Sequence, residues 1–337
     1  VWCANAAIAV AFVGYLDPFF PAIVRDPASA AMLAIGTVWL LTAVNAWGVT
    51  AAGRVQVVTT ALKIIPLAII GIAGLVLFEP AHFTVTDTSL GGMASGITAT
   101  ATLTLWAFLG LECATIPAGE VRDPERTIPR ATIVGTGLAA LIYIVSTAGV
   151  MALVPPGMLA QSTAPFADAA RAVGGETAAY LVALGAAIAC FGGLNGWILV
   201  VGQLPRAVAA DGLFPSVFGR LSSRGAPVPG MVIAAVLTTI LIGMNYGQGL
   251  VSLFTFIILL ATLSVLVPYV FCSLAGFLLQ RRDPRMRMSA GASSVAALAF
   301  GYSLWTIGGA GAEVVYWGFL LLLAGLPVYV MNVRTKN

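Results

Sequence analysis

Charge is what this sequence has least of. Acidic and basic side chains make up 9% of its 337 residues, against about 25% in a soluble domain. So few charges cannot cover a water-facing surface. The hydrophobic residues, 60% of the chain with a mean hydropathy of +1.00, must therefore face lipid. Histidine is almost missing, and His82 stands alone in a polar loop. Four cysteines, Cys3, Cys113, Cys190 and Cys272, are scattered through apolar runs. That spacing suits neither a zinc site nor a disulfide framework, so they read as small packing residues. Phosphate-cradling glycine loops of the Walker or Rossmann type are also missing, so nothing points to ATP or a dinucleotide. A formal net charge of +3 offers nothing to nucleic acid. No cofactor or metal is expected. Without a nucleophile–base or metal cluster at one depth, an integral-membrane enzyme is disfavoured.

Long apolar runs are what the chain has instead. A spanning helix needs about 20 such residues. The runs between charges and turn residues predict ten helices, near 1–20, 29–50, 56–78, 95–117, 131–153, 177–203, 228–245, 250–279, 291–308 and 313–333. The charge-free stretch from Gly225 to Gln280 is too long for one span, and NYGQG at 245–249 divides it. The expected class is an all-α polytopic membrane protein forming one domain over 1–337. The chain opens inside an apolar run without a methionine or a charged leader, so a preceding segment is expected to be absent.

Loop charges predict the orientation. Arg54, Arg122, Arg126, Arg130, Arg206, Arg220, Arg224, Arg281, Arg282, Arg285, Arg287, Arg334 and Lys336 fall on alternate loops. The opposite loops hold only Arg25 and Arg171, and Lys63 lies within a helix. This asymmetry puts the C-terminus in the cytoplasm.

Three features sit at membrane depth, where ionisable groups are costly. Glu112 lies in WAFLGLECA between Gly110 and Pro117, two helix weakeners. A broken helix beside an acid is the kind of midplane site that transporters use; a protonated packing carboxyl is the alternative. Lys63 follows Arg54 by nine residues, about 13 Å into its helix. It either carries charge at mid-depth or snorkels to the headgroups. Trp106 and Trp197 lie away from the interfaces that tryptophan prefers. They are packing residues or a stacking platform for a cation. In RDPERTIPR, Asp123 is a candidate N-cap with Pro124 at the first helical position. A short surface helix ending at Pro129 is expected there, separate from the span at 131–153.

Several segments together carry a resemblance. They are WCAN, GYLDPFFP at 14–21, TLWAFLGLECATIPAGEVRDPERTIPR at 104–130, APFADAARAVGGETA at 164–178, NGWILVVGQ at 195–203, AADGLFPSVFGR at 209–220, LVPYVF at 266–271 and GAEVVYWGF at 311–319. The chain resembles the amino acid–polyamine–organocation superfamily along its whole length. Within it, the chain is most similar to bacterial basic amino acid/polyamine antiporters of the arginine–agmatine type.

The resemblance implies a LeuT-type fold, with helices one to five and six to ten forming an inverted repeat. The chain would start at family helix three, without the first-helix half of the site. It implies an inner-membrane transporter, monomeric or homodimeric, that exchanges cationic amino acids for their amines by alternating access. Trp106 would stack on the substrate's cationic side chain. Trp197 and Phe254 would line the chamber, and Asn5 would lie near the substrate head. Glu112 and Tyr269 would belong to the cytoplasmic-side gate. Ala261 stands where the antiporter has serine, Ile8 where it has methionine, and Leu109 where it has isoleucine. Lys63 stands where it has alanine and resembles instead the lysine on the fifth family helix of sodium-independent and proton-coupled amino acid transporters, which makes proton symport of neutral amino acids the alternative.

Overall fold

The computed structural model describes residues 1–47, 52–83, 88–110, 122–245, 247, 249–282 and 288–334, with the backbone alone at 52–63, 245, 280–282 and 331–334. Its α-helices are α1 (Trp2–Gly14), α2 (Pro21–Val24), α3 (Pro27–Trp47), α4 (Ala52–Val76), α5 (Leu90–Leu105), α6 (Pro124–Leu153), α7 (Pro156–Leu159), α8 (Pro165–Ala210), α9 (Val228–Asn245), α10 (Leu250–Arg282), α11 (Ala290–Gly309) and α12 (Ala312–Arg334). No strand occurs among the described residues. Each of the ten expected runs is occupied by one helix: α1, α3, α4, α5, α6, α8, α9, α10, α11 and α12. Among the described residues, six helices are long and apolar enough to cross a membrane, and three shorter apolar ones accompany them. The chain is a multi-pass membrane protein.

Four helices differ from expectation in their bounds. Helix α1 stops at Gly14, not near 20. A Cβ at Gly14 would lie 2.6 Å from the Thr163 carbonyl oxygen, so the chain turns where another backbone meets it. Helix α5 starts earlier, where the Ser89 hydroxyl accepts from the Gly92 N–H at 3.1 Å. It also ends earlier, at Leu105. The expected surface helix and fifth span are one helix, because Pro129 sits inside α6. Pro129, the sixth residue of α6, removes the N–H that would bond the Glu125 carbonyl, and Glu125 is exposed at this end of the helix. Asp123 holds the capping position at φ 51, but its side chain makes no cap bond. The Thr127 hydroxyl donates back to the Arg122 carbonyl at 2.9 Å instead. Helix α8 runs far beyond 177–203 and is interrupted at Gly174 (φ −130°, ψ 15°) and Gly175 (φ 68°, ψ −163°).

The chain divides into two compact units: Val1–Val85 with Glu112–Phe254 and Met331–Asn337, and Thr86–Leu111 with Thr255–Val330. In the first, α1 packs against α3, α8 and α9, and α4 packs along α6. Small residues make these seams. Ala6, Ala7, Ala9, Ala30, Ala34, Ala167 and Ala183 are fully buried. Gly71, Gly74 and Gly149 bring α4 and α6 backbone to backbone. Lipid removes the hydrophobic drive between helices, so close approach and dispersion must hold them. Polar bonds add to this. Trp39 Nε1 donates to Thr239 Oγ1 at 3.0 Å, and Thr238 Oγ1 donates to the Trp2 carbonyl at 3.1 Å.

The two ends of α3 carry different charges. The Asp26 carboxylate caps the first turn, accepting from the Ser29 N–H at 2.9 Å. Bonds from the Ser29 hydroxyl and backbone hold that carboxyl below its ordinary range. At the other end, Arg224 Nη1 donates to the Trp47 carbonyl at 3.2 Å, and its guanidinium lies 6.0 Å above the Trp47 ring. A cation suits a helix C-terminus. The 21 residues between correspond to about 31 Å, close to a bilayer core of about 30 Å.

In the second unit, α5 packs on α11. Thr102, fully buried, donates to the Thr306 carbonyl at 3.2 Å, and Trp305 Nε1 donates to Thr98 Oγ1 at 3.1 Å. A Cβ at Gly309 would sit 2.6 Å from the Thr98 methyl, so the absent side chain makes room for this pairing.

Candidate functional site

The expected site residues divide between the units. Asn5, Ile8, Trp197 and Phe254 belong to the first, and Trp106, Leu109, Ala261 and Tyr269 to the second. Glu112 lies outside the described residues. Lys63 is in α4, and its side chain is likewise outside them.

In the second unit the helix break is real and starts earlier than Gly110 and Pro117 suggest. Helix α5 gives way to a 3-10 turn at Trp106–Phe108, and Leu109 is extended at φ −73°, ψ 144°. Gly110 follows at φ 94°. Trp106 is therefore the first residue out of the α-helix, and it is half-buried. The turn's closing bond runs from the Leu109 N–H to the Trp106 carbonyl at 3.2 Å. Ala261 is buried on α10; its neighbour Thr262, also buried, returns its hydroxyl to the Ile258 carbonyl at 2.7 Å. Tyr269 lies one residue past Pro268, half-buried.

In the first unit, Asn5 is 2% exposed, and its Oδ1 has no hydrogen-bond partner among the described residues. A buried carbonyl oxygen without a donor is uncommon and calls for an explanation. Ile8 lies one turn further along α1, half-buried. Trp197 is half-buried on α8. Two residues before it, Asn195 Oδ1 accepts from Asn45 Nδ2 at 2.7 Å, tying α8 to α3. Phe254 helps line a cavity of 170 Å³ with Val10, Gly14 and Tyr15 of the α1 end and Pro165 of α8. The structure thus brings Phe254 to the helix that carries Asn5 and Ile8.

A larger cavity was missed by sequence reasoning. It measures 430 Å³ and is lined by Asp17, Arg25, Gln161, Ser162, Thr163 and Asp168, among others. Arg25 Nε donates to Asp17 Oδ1 at 3.3 Å. Asp168 accepts from the Ser162 hydroxyl and from Arg171 Nη1. Arg171 Nε also reaches Glu176 Oε1 at 2.7 Å, across the Gly174–Gly175 interruption. The two cavities share Val10, Ser162, Thr163 and Leu250, so they adjoin. The sequence signal was present in Arg25 and Arg171, which the loop-charge pattern treats as markers of sidedness. Only folding brings Arg25 to Asp17 and Arg171 to Asp168.

Among the described residues no group of His, Cys, Asp or Glu could hold a metal ion. The first unit's cavities combine apolar walls with a few polar groups, which suits binding of a small molecule.

The amino acid permease family model matches residues 1–332. The chain belongs to the amino acid permease family. The permease is 38% identical over 277 residues to the cadaverine/lysine antiporter of Escherichia coli, covering 80% of this chain and 62% of that protein. It is 33% identical over 335 residues to the putrescine transporter PotE of Haemophilus influenzae, covering 97% of this chain and 75% of that one. The Escherichia coli PotE is 32% identical over 330 residues, covering 97% and 74%. The chain thus spans less than two thirds of the antiporter's length.

Proposed function

We propose that the permease is a secondary active transporter that exchanges cationic amino acids for amines by alternating access. The observation that carries this is its 38% identity to a cadaverine/lysine antiporter over 80% of the chain. The substrate class is the one shared by lysine with cadaverine, arginine with agmatine, and ornithine with putrescine: an extended chain ending in a cation.

In this reading the ten helices that occupy the expected apolar runs are family helices three to twelve of a five-plus-five inverted repeat, forming one permease domain. The protein sits in a bacterial inner membrane, as a monomer or homodimer, with its C-terminus in the cytoplasm. The two ends of α3 support that sidedness: Arg25 precedes one end, and Arg224, from the arginine-rich set of loops, is tied to the other. Trp106 stacks on the substrate's cation from the point where α5 breaks. Trp197, Phe254, Leu109, Ile8 and Ala261 form the chamber wall, and Asn5 presents its unpartnered carbonyl oxygen to a substrate N–H. Glu112, Tyr269 and Lys63 adjust the charge balance and the gate during the cycle.

The test uses the full-length protein in liposomes. Labelled lysine or arginine is offered to vesicles loaded with the same amino acid or its diamine, beside empty vesicles. Uptake confined to loaded vesicles is the expected result. Uptake into empty vesicles driven by an inward proton gradient would replace exchange with symport. Uptake of neutral amino acids only would refute the cationic class.

A further inference from the structure

We propose that the 430 Å³ cavity is a way-station for the ammonium group of a cationic substrate, with Asp17 as its anchor and Arg25 as a built-in competitor that the substrate displaces. This rests on the cationic-substrate reading above.

The two halves of the Asp17–Arg25 pair are unequal. The Asp17 side chain is 26% exposed and the Arg25 side chain 75%. Asp17 lies three residues past the end of α1, and its N–H donates to the Gly14 carbonyl at 3.1 Å, so its backbone is tied to the helix end beside the cavity that it lines. The guanidinium reaches it through a single contact from Nε, 3.3 Å long, without the bidentate fork that makes such pairs strong. An exposed, monodentate pair contributes little, because water screens it and two long side chains must be held in one geometry. Arg25 can therefore leave at little cost, and Asp17 stays tied to the helix end.

The other carboxylate of the cavity is already committed. Asp168 holds the Ser162 hydroxyl on one oxygen and Arg171 on the other, and Arg171 is further anchored by Glu176. Asp17 is thus the charge open to exchange.

The space fits the role. Small-ligand sites measure about 300–1,000 Å³, and this one holds 430 Å³. Gln161, Ser162 and Thr163 supply hydrogen-bonding groups along one side. The shared residues Val10, Ser162, Thr163 and Leu250 make its lining continuous with the smaller cavity that ends at Phe254. A cation that releases Asp17 is already on the surface leading to the chamber. A local carboxylate raises the concentration of cations at such a mouth.

The test compares Asp17→Asn, Arg25→Gln and Asp17→Glu in the full-length protein, reconstituted in loaded liposomes. External labelled cadaverine and labelled lysine are titrated from the side on which Asp17 lies. Monodisperse elution in detergent checks that each variant folds. Asp17→Asn raises the half-saturating concentration by about two- to fivefold, the factor that about 0.4–1 kcal/mol represents. Arg25→Gln lowers it by a similar factor, because the competitor is gone. Asp17→Glu stays near wild type, and the maximal rates hold throughout. Opposite signs are the signature. A purely structural ion pair would shift both variants in the same direction, and the swap Asp17→Arg with Arg25→Asp would restore them; that result overturns the way-station. Unchanged titrations in both variants overturn it too. In either case wild-type exchange of cadaverine would leave the transport reading standing. A wild type that moves no cation removes both.

Discussion

Gly149→Ala gives the most direct test of how this fold is held together. An added Cβ would sit 2.6 Å from the Ile70 carbonyl oxygen and 2.7 Å from Gly71 Cα, where ordinary contact begins near 3.4 Å. The neighbours must give way by 3.4 − 2.6, or about 0.8 Å. Both are backbone, so no side chain can rotate aside, and α4 and α6 must part. A gap of 0.5–1 Å forfeits about a quarter to a half of each contact's well of about 0.1–0.2 kcal/mol. Spread over as many atom pairs as one buried leucine makes, about 40–60, the loss is about 1–6 kcal/mol. Overpacked cores typically lose about 1–3 kcal/mol. Alanine's better helix propensity returns up to about 1 kcal/mol.

The control is Gly137→Ala on the same helix, where a Cβ meets nothing within 4 Å. It should be neutral or slightly stabilising. The assay is apparent melting in detergent, followed by loss of monodisperse protein. Gly149→Ala should melt several degrees below Gly137→Ala. Equal melting of the two would refute the argument that backbone contact between α4 and α6 sets their packing.

Three further outcomes follow from particular residues. Gly175 occupies φ 68°, ψ −163° with open space at its Cβ position, so Gly175→Ala should cost about 1–3 kcal/mol from backbone strain alone. Melting beside Gly185→Ala, where a Cβ also meets nothing, checks this. Trp106→Leu should raise the apparent KM for a cationic substrate by about two- to thirtyfold, the span of a cation–π contact of about 0.5–2 kcal/mol; an unchanged KM and rate would remove Trp106 from the site. The Asp26 carboxyl has a lowered folded value, so its cap contributes above the ordinary carboxylate value near 3.8 and is lost as pH falls through the lowered one. Protection of the Ser29 and Ala30 amides, measured against the free-amide exchange rate at each pH, should therefore fall at the acid end, and Asp26→Ala should abolish that dependence.

The membrane class, the ten helical runs and the loop charge pattern were legible in the sequence, because each depends on composition over about 20 residues and not on neighbours. The helix interruption near Gly110 was legible for the same reason, since glycine and proline act locally. Its starting point at Trp106 was not, because nothing in an aromatic side chain announces the end of a helix. Pro129 misled as a terminator because α6 runs on through it, leaving the carbonyl of an exposed residue, Glu125, without its helical bond. Family kinship and its candidate residues Asn5, Trp106, Trp197 and Phe254 came from motifs. The convergence of Asp17 and Arg25 with Ser162 and Asp168 came only from tertiary structure, since these residues lie on segments about 140 apart in the chain. Which glycines touch another backbone was likewise decided there. Gly137 and Gly149 read alike on α6, and only the packed partner α4 makes one of them indispensable.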